Sequence, residues 1–186
     1  MRKKIINIFT EKIMELFRFV FIYNLKFWEL ILIKVENLSK YYGQVKAVKS
    51  ISFDLDDGQV VGFLGANGAG KSNTLKIMTG YISPTSGNVF YGEKNIQDDT
   101  SEIQKDIGYL PELNPLYSEM IVHDYLKFIS EVRGIAENDF KNAFQKVVEE
   151  CSLNAVAHRT IANCSKGYKQ RIGLAAALIH DPKILI

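Results

Sequence analysis

Gln59-Val-Val-Gly-Phe-Leu64-Gly65-Ala66-Asn67-Gly68-Ala69-Gly70-Lys71-Ser72 is the stretch that decides the fold. An apolar run enters a glycine-rich loop of the pattern G-x-x-x-x-G-K-[ST], and a helical pattern follows over Lys71 to Thr79. The apolar run starts just after the turn residues Asp56-Asp-Gly58, which predicts a buried strand over Gln59–Leu64. Each part of the loop has a physical use. Glycines let the backbone curl so that successive N–H groups point at one anion. The helix N-terminus adds the positive end of a dipole. Lys71 supplies a point charge for β- and γ-phosphates, and Ser72 offers its hydroxyl to Mg²⁺. Gly65, Asn67, Gly68, Ala69 and Gly70 form the expected cradle. The alternative, a chance glycine-rich turn, is disfavoured because strand, loop, Lys-Ser and helix stand in order. The loop specifies a nucleoside triphosphate and no more: kinases, GTPases, helicases and transport ATPases share it. The absence of a following Asn-Lys-x-Asp weakens the GTPase reading.

Working outward, Ile33–Leu38 and Ile51–Leu55 alternate as strands, with a break at Tyr41-Tyr-Gly43. Pro84-Thr-Ser-Gly87 is a turn before the strand Asn88–Tyr91, and Ile107–Leu110 is a short strand. Helical patterns then cover about Ile121–Arg133, Glu137–Cys151 and Lys166–His180. Glu137, Asn138 and Asp139 suit a helix start. Asp181-Pro182 precedes a further apolar strand, Lys183–Ile186. The expected fold class is α/β, built on a P-loop core.

Composition agrees with one folded domain. The 186 residues are 47% hydrophobic and 24% charged, which excludes bulk disorder and collagen-like structure. A net charge of +2 is too small to argue for nucleic acid as a partner. Cys151 and Cys164 are the only cysteines, against a disulfide scaffold or a Cys/His zinc site. The longest uncharged stretch near the N-terminus, Phe19–Leu25, is far shorter than the roughly 20 residues of a membrane span. A signal peptide is not expected, because Glu11 and Lys12 interrupt the apolar run after the basic start.

Residues 1–32 differ from the rest. They hold six Lys/Arg and three Glu and no Gly or Pro. Lys4, Asn7, Glu11, Glu15, Arg18, Lys26 and Glu29 share one helical stripe, and most other positions are apolar. Two readings stay open: an amphipathic helix lying on a membrane or a partner, or an upstream stretch from a misassigned start.

Three further segments carry a resemblance to the ATP-binding cassette (ABC) transporter ATPases. Val35-Glu-Asn-Leu-Ser-Lys-Tyr-Tyr-Gly43 resembles the family's opening strand and aromatic loop. Ile107-Gly-Tyr-Leu-Pro-Glu112 resembles its Q-loop, and Cys164-Ser-Lys-Gly-Tyr-Lys-Gln-Arg171 its signature motif. The resemblance covers about residues 33–186, in family order, and implies a mostly parallel sheet, an antiparallel β edge and a helical subdomain near residues 113–165. It implies that Tyr42 stacks on adenine, which a flat π-face does without base-specific hydrogen bonds. It implies that Glu112, in place of the usual Gln, offers an oxygen to Mg²⁺ or the attacking water, and that Ser165 and the Gly167 backbone face the γ-phosphate held by a second ATP-binding protomer. Cys164, Lys166 and Tyr168 depart from the usual signature, and Asn73, also an expected nucleotide-binding position, stands where the family usually has Ser or Thr.

The Pro-Glu and Ser-Lys-Gly-Tyr variants resemble a branch serving ABC-2 type exporters, gliding-motility-associated ones included. That implies ATP and Mg²⁺ as cofactors, a membrane permease subunit and a second ATP-binding subunit as partners, and a peripheral place on the cytoplasmic face of the membrane. The family's Walker B Asp, catalytic Glu, D-loop and switch His find no match, so the expectation is a domain cut before Walker B, with Lys183–Ile186 as the start of that strand. His123, His158 and His180 read as structural, His180 placing partial positive charge at a helix C-terminus. Two other readings remain: a nucleotide-binding or regulatory fragment without turnover, and an ABC ATPase of translation or repair. The latter usually carries two cassettes, more than 186 residues hold.

Overall fold

The computed structural model describes residues 33–186. The expected helix in residues 1–32 and its two readings lie outside the described residues. In chain order the elements are β1 (Ile33–Tyr42), β2 (Val45–Leu55), α1 (Lys71–Met78), β3 (Ser86–Tyr91), β4 (Lys94–Asn95), α2 (Thr100–Ile103), β5 (Ile107–Gly108), α3 (Val122–Val132), α4 (Glu137–Glu150), α5 (Lys166–Leu178) and β6 (Ile184–Leu185).

β1 and β2 form an antiparallel hairpin that turns at Gly43, and the four-stranded sheet runs in the order β2-β1-β3-β4. Ile33 and Val35 point to the buried face, as the alternation predicts, and the register shift between Val35 and Leu38 brings Leu38 to that face as well. Asn37 and Ser50 adopt positive φ where the hairpin register shifts. The Ser52 hydroxyl accepts from the Asn37 N–H at 2.8 Å, and the Ser39 hydroxyl from the Ser50 N–H at 3.0 Å. α1 buries Thr74, Ile77 and Met78, the i, i+3, i+4 face, and its apolar residues join Val35, Leu38 and Val89 in one apolar cluster. A second cluster is built by α3, α4 and α5 around Leu126, Leu153, Ile161 and Ile172, all fully buried. Burying each such side chain contributes about 1.5–3 kcal/mol.

Among the described residues parallel pairing is confined to a separate two-stranded sheet, β5 and β6, with Ile107 opposite Ile184 and Gly108 opposite Leu185. Two further bonds, Leu110 N–H to the Ile186 carbonyl and Ile186 N–H to the Gly108 carbonyl, both 2.9 Å, continue that ladder.

The buried strand expected over Gln59–Leu64 is not formed. Among the described residues this run pairs with no strand, and Val60 and Leu64 are 68% and 93% exposed. Phe63 does pack on Phe53 of β2, with ring centroids 5.7 Å apart. Apolar sequence makes a strand buriable, but only ladders on either side and layers on either face bury it.

His180 also differs from expectation. It follows α5, and its Nε2–H donates to the Ile107 carbonyl at 3.0 Å, tying the end of the helix to β5. Nδ1 is buried with no hydrogen-bond partner among the described residues. Burial first, and then the Arg133 guanidinium, push its pKa below the usual 6.5, against weaker opposing pulls from the Ile107 carbonyl, Asp181 and Asp106. The ring is therefore a neutral donor, not a cation on the helix dipole. Because the folded pKa lies below the unfolded one, the unfolded chain binds more protons in the window between them. The His180 contribution is complete above 6.5 and is lost as pH falls through that window. Urea midpoints should drop between about pH 7.5 and about pH 5.5, and His180→Gln, which keeps a donor, should flatten that part of the profile.

Candidate functional site

Gly65–Ala69 lies exposed between the unpaired Gln59–Leu64 run and α1, with Gly70 half-buried at the start of the helix. The Ala69 N–H donates to the Ala66 carbonyl at 3.1 Å, which begins the curl. Gly70 caps α1 with φ 85°, a left-handed conformation. A Cβ at this position would lie 2.2 Å from the Ala47 carbonyl oxygen and 3.1 Å from Val48 Cγ2. Two independent demands thus fix glycine at position 70: its backbone angle and its contact with β2. Thr74 is buried one turn further on, and both its N–H (2.9 Å) and its hydroxyl (3.1 Å) donate to the Gly70 carbonyl.

Lys71 folds back over the loop. Its Nζ donates to the Gly65 carbonyl at 2.6 Å and to the Ala66 carbonyl at 2.8 Å, so the ammonium stands across the curl. Ser72 is exposed at the next helical position. The first turn of α1 contains no acidic residue and its N-terminus has no side-chain cap. α4, by contrast, starts with Glu137 and Asp139. The positive end of the α1 dipole is left for an outside anion. A glycine-fixed curl, a cation over it and an uncompensated helix start fit a polyphosphate.

Tyr42, 51% exposed at the end of β1, is brought against α1. Its hydroxyl donates to Asn73 Oδ1 at 3.1 Å. Lys40 Nζ lies 5.1 Å from the Tyr42 ring centroid while donating to the Ser83 carbonyl at 2.7 Å. An ammonium at that distance from a ring is attracted by its quadrupole.

The signature-like segment starts α5. Ser165 is the N-cap, with its hydroxyl accepting from the Tyr168 N–H at 3.4 Å, and Lys166 and Gly167 are exposed in the first turn, which has no acidic residue. Two of the unusual signature residues have local uses. Cys164 is buried in the helical cluster, as a small apolar residue can be. The Tyr168 ring stacks on the Arg171 guanidinium at 4.2 Å, and Arg171 also donates to the Ser152 carbonyl at 3.1 Å.

Glu112 is exposed in a bend after β5 and makes no hydrogen bond or ion pair among the described residues. Two residues later, Asn114 Nδ2 donates to the Lys169 carbonyl at 2.9 Å. A Cβ on Gly173 would come within 1.8 Å of that nitrogen, so Asn114 sits in a notch that only glycine leaves open. The bend bearing Glu112 is thereby clipped to the helix that Ser165 caps. No hydrogen bond or ion pair links Glu112 or Ser165 to Gly65–Ser72 among the described residues. Nor does any group of three or more His, Cys, Asp or Glu gather there as a metal site.

The structure therefore joins Tyr42 and Asn73 to the phosphate loop and leaves Glu112 and Ser165 on a second, linked unit. Sequence reasoning missed Lys40 and Asn114. Only Asn73 carried a signal, as an unusual residue after Ser72.

Comparison with known proteins follows the same lines. The family model described as ABC transporter matches residues 48–186. The chain is 38% identical over 156 residues to the uncharacterized ABC transporter ATP-binding protein YxlF of Bacillus subtilis, covering 83% of this chain and 51% of that protein. It is 36% identical to the linearmycin resistance ATP-binding protein LnrL of the same organism (83% and 50% covered) and 35% identical to the bacitracin transport ATP-binding protein BcrA of Bacillus licheniformis (83% and 50%). The chain spans about half the length of these curated relatives. Among solved structures, an ATP-binding subunit of an ABC transporter superposes with TM-score 0.73 at 27% identity, covering 83% of this chain and 64% of that one. CbiO1 of Clostridium perfringens, part of the complex cbiONQ, superposes with TM-score 0.72 at 25% identity (84% and 64%).

Proposed function

Because the chain belongs to the ABC transporter family of ATP-binding proteins, we propose that it is the ATP-binding part of an exporter, coupling ATP binding and hydrolysis to a separate membrane subunit. The observation that carries the ATP-binding reading is the Gly70-fixed curl with Lys71 across it at the uncapped start of α1. In this reading the N–H groups of Gly65–Ser72 hold the β- and γ-phosphates, Lys71 neutralises their charge, Ser72 ligates Mg²⁺ and Tyr42 stacks on adenine. Glu112 offers a second oxygen to the metal. Ser165 and the Gly167 N–H serve a phosphate held by a second protomer. Mg²⁺, bound to phosphates, supplies charge neutralisation and needs few protein ligands.

Residues of about 113–165 form the helical subdomain in this reading, with α5 packed onto it. Between it and the core lies a cavity of about 650 Å³, lined by Tyr81, Tyr109, Pro111, Ile129 and Val132 among others, a fitting seat for the membrane subunit. Among the described residues no helix is long and apolar enough to cross a membrane; in this reading the translocation path is the other subunit's. The export direction is taken from the resistance and transport named for LnrL and BcrA. The peripheral, cytoplasmic-face location follows from the same assignment.

A second reading, nucleotide binding without turnover, is favoured by one observation: among the described residues no carboxylate is bonded or paired at the loop. Both readings require ATP to bind the folded state. A ligand at about 100 times its dissociation constant stabilises by about 2.7 kcal/mol, a rise of roughly 5–10 °C for a domain of this size. Mg-ATP should raise the melting temperature by that much and Mg-AMP should not. Equal effects of the two, or none, would reject triphosphate binding.

A further inference from the structure

We propose that Asn73 is a positioning residue for the nucleotide base: it holds the Tyr42 ring at a fixed place relative to the phosphates. The inference rests on the reading of Gly65–Ser72 as a triphosphate cradle. Asn73 stands two residues after Lys71, in the first turn of the helix that starts at the cradle. Its Oδ1 accepts a hydrogen bond from the Tyr42 hydroxyl at 3.1 Å, across 31 residues of sequence. Tyr42 is at the last position of β1, beside the turn at Gly43, and is half-exposed. Left alone, such a ring samples several rotamers and loses that freedom when a base stacks on it.

The bond to Asn73 removes part of that freedom in advance, which lowers the entropy cost of binding. Lys40 adds a second restraint. Its ammonium is fixed to the Ser83 carbonyl and stands over one ring face, which leaves the other face to the base. Tethering through α1 has a geometric consequence. The ring moves with the helix whose N-terminus holds the phosphates, so the distance from phosphate to base platform is set within one rigid unit. The Asn73 side chain is engaged with Tyr42, while its backbone N–H stays with the helix start.

That division makes the role testable. Asn73→Ala removes the tether and keeps the backbone N–H, and Tyr42→Phe removes only an exposed hydroxyl. Binding of Mg-ATP and of Mg-tripolyphosphate, which has no base, is measured by calorimetry for the wild type, both single variants and the double variant. Each single variant should bind ATP about three- to tenfold more weakly, the worth of one hydrogen bond. Tripolyphosphate binding should be unchanged, and the double variant should be no weaker than either single one. Equal losses for ATP and tripolyphosphate would place Asn73 at the phosphates and overturn the proposal. So would unchanged ATP binding, or additive losses in the double variant. Lys71→Ala separates the underlying reading: wild-type affinity for both ligands in that variant would reject the cradle itself, whatever Asn73 does.

Discussion

A polypeptide of residues 1–186 is expected to bind Mg-ATP and to release phosphate at least about 10²-fold more slowly than a chimaera in which the remaining part of LnrL is joined after residue 186. Hydrolysis needs a group that orients and deprotonates water, and general-base assistance is worth ~10²–10⁴-fold. Among the described residues the proposed function assigns one acidic candidate, Glu112, and it stands exposed in a bend with no hydrogen-bond or ion-pair partner there to aim it. Lys71, Ser72 and the loop N–H groups stabilise charge on the phosphates but cannot take a proton from water. The same experiment bears on packing. Val60, Val61 and Leu64 are exposed in an extended apolar run without a ladder, the kind of edge that invites aggregation. Strands that pair with that run should raise solubility along with turnover. Phosphate release at comparable rates by the two polypeptides would mean that residues 1–186 hold their own base.

Much of the fold was legible in local pattern. α3, α4 and α5 fall within two residues of their expected ends, because buried residues such as Val122, Tyr125, Leu126 and Ser130 recur at helical spacing. The sheet was harder. Val45–Ser50 belongs to β2 but shows no clean alternation, since register shifts interrupt the hairpin and Ser50 takes a positive φ. Gln59–Leu64 has the composition of a buried strand and lacks the pairing that makes one. His180 was read by its place on a helix dipole, whereas its charge is decided by burial and by Arg133, 47 residues away in sequence. At the site, the phosphate loop was legible because its chemistry is contiguous: glycine, lysine and hydroxyl within eight residues. The Tyr42–Asn73 bond and the Asn114 notch at Gly173 join distant segments through side chains, and no local pattern encodes them.

Lys71 carries the central claim. Its ammonium is held over the curl by two carbonyls, in a place where phosphate oxygens are better partners because they are charged. Alanine at position 71 leaves the helix start and the Gly70 turn in place and removes only the cation. Charge-assisted hydrogen bonds contribute about 1.5–3 kcal/mol each, which corresponds to roughly a 10- to 150-fold loss of affinity. The direct test is a titration of a fluorescent ATP analogue with Mg²⁺ into the wild type and Lys71→Ala, with unchanged circular dichroism confirming that both are folded. The account predicts saturable binding by the wild type and a dissociation constant at least about tenfold higher for the variant. Equal affinities in two folded proteins would contradict it.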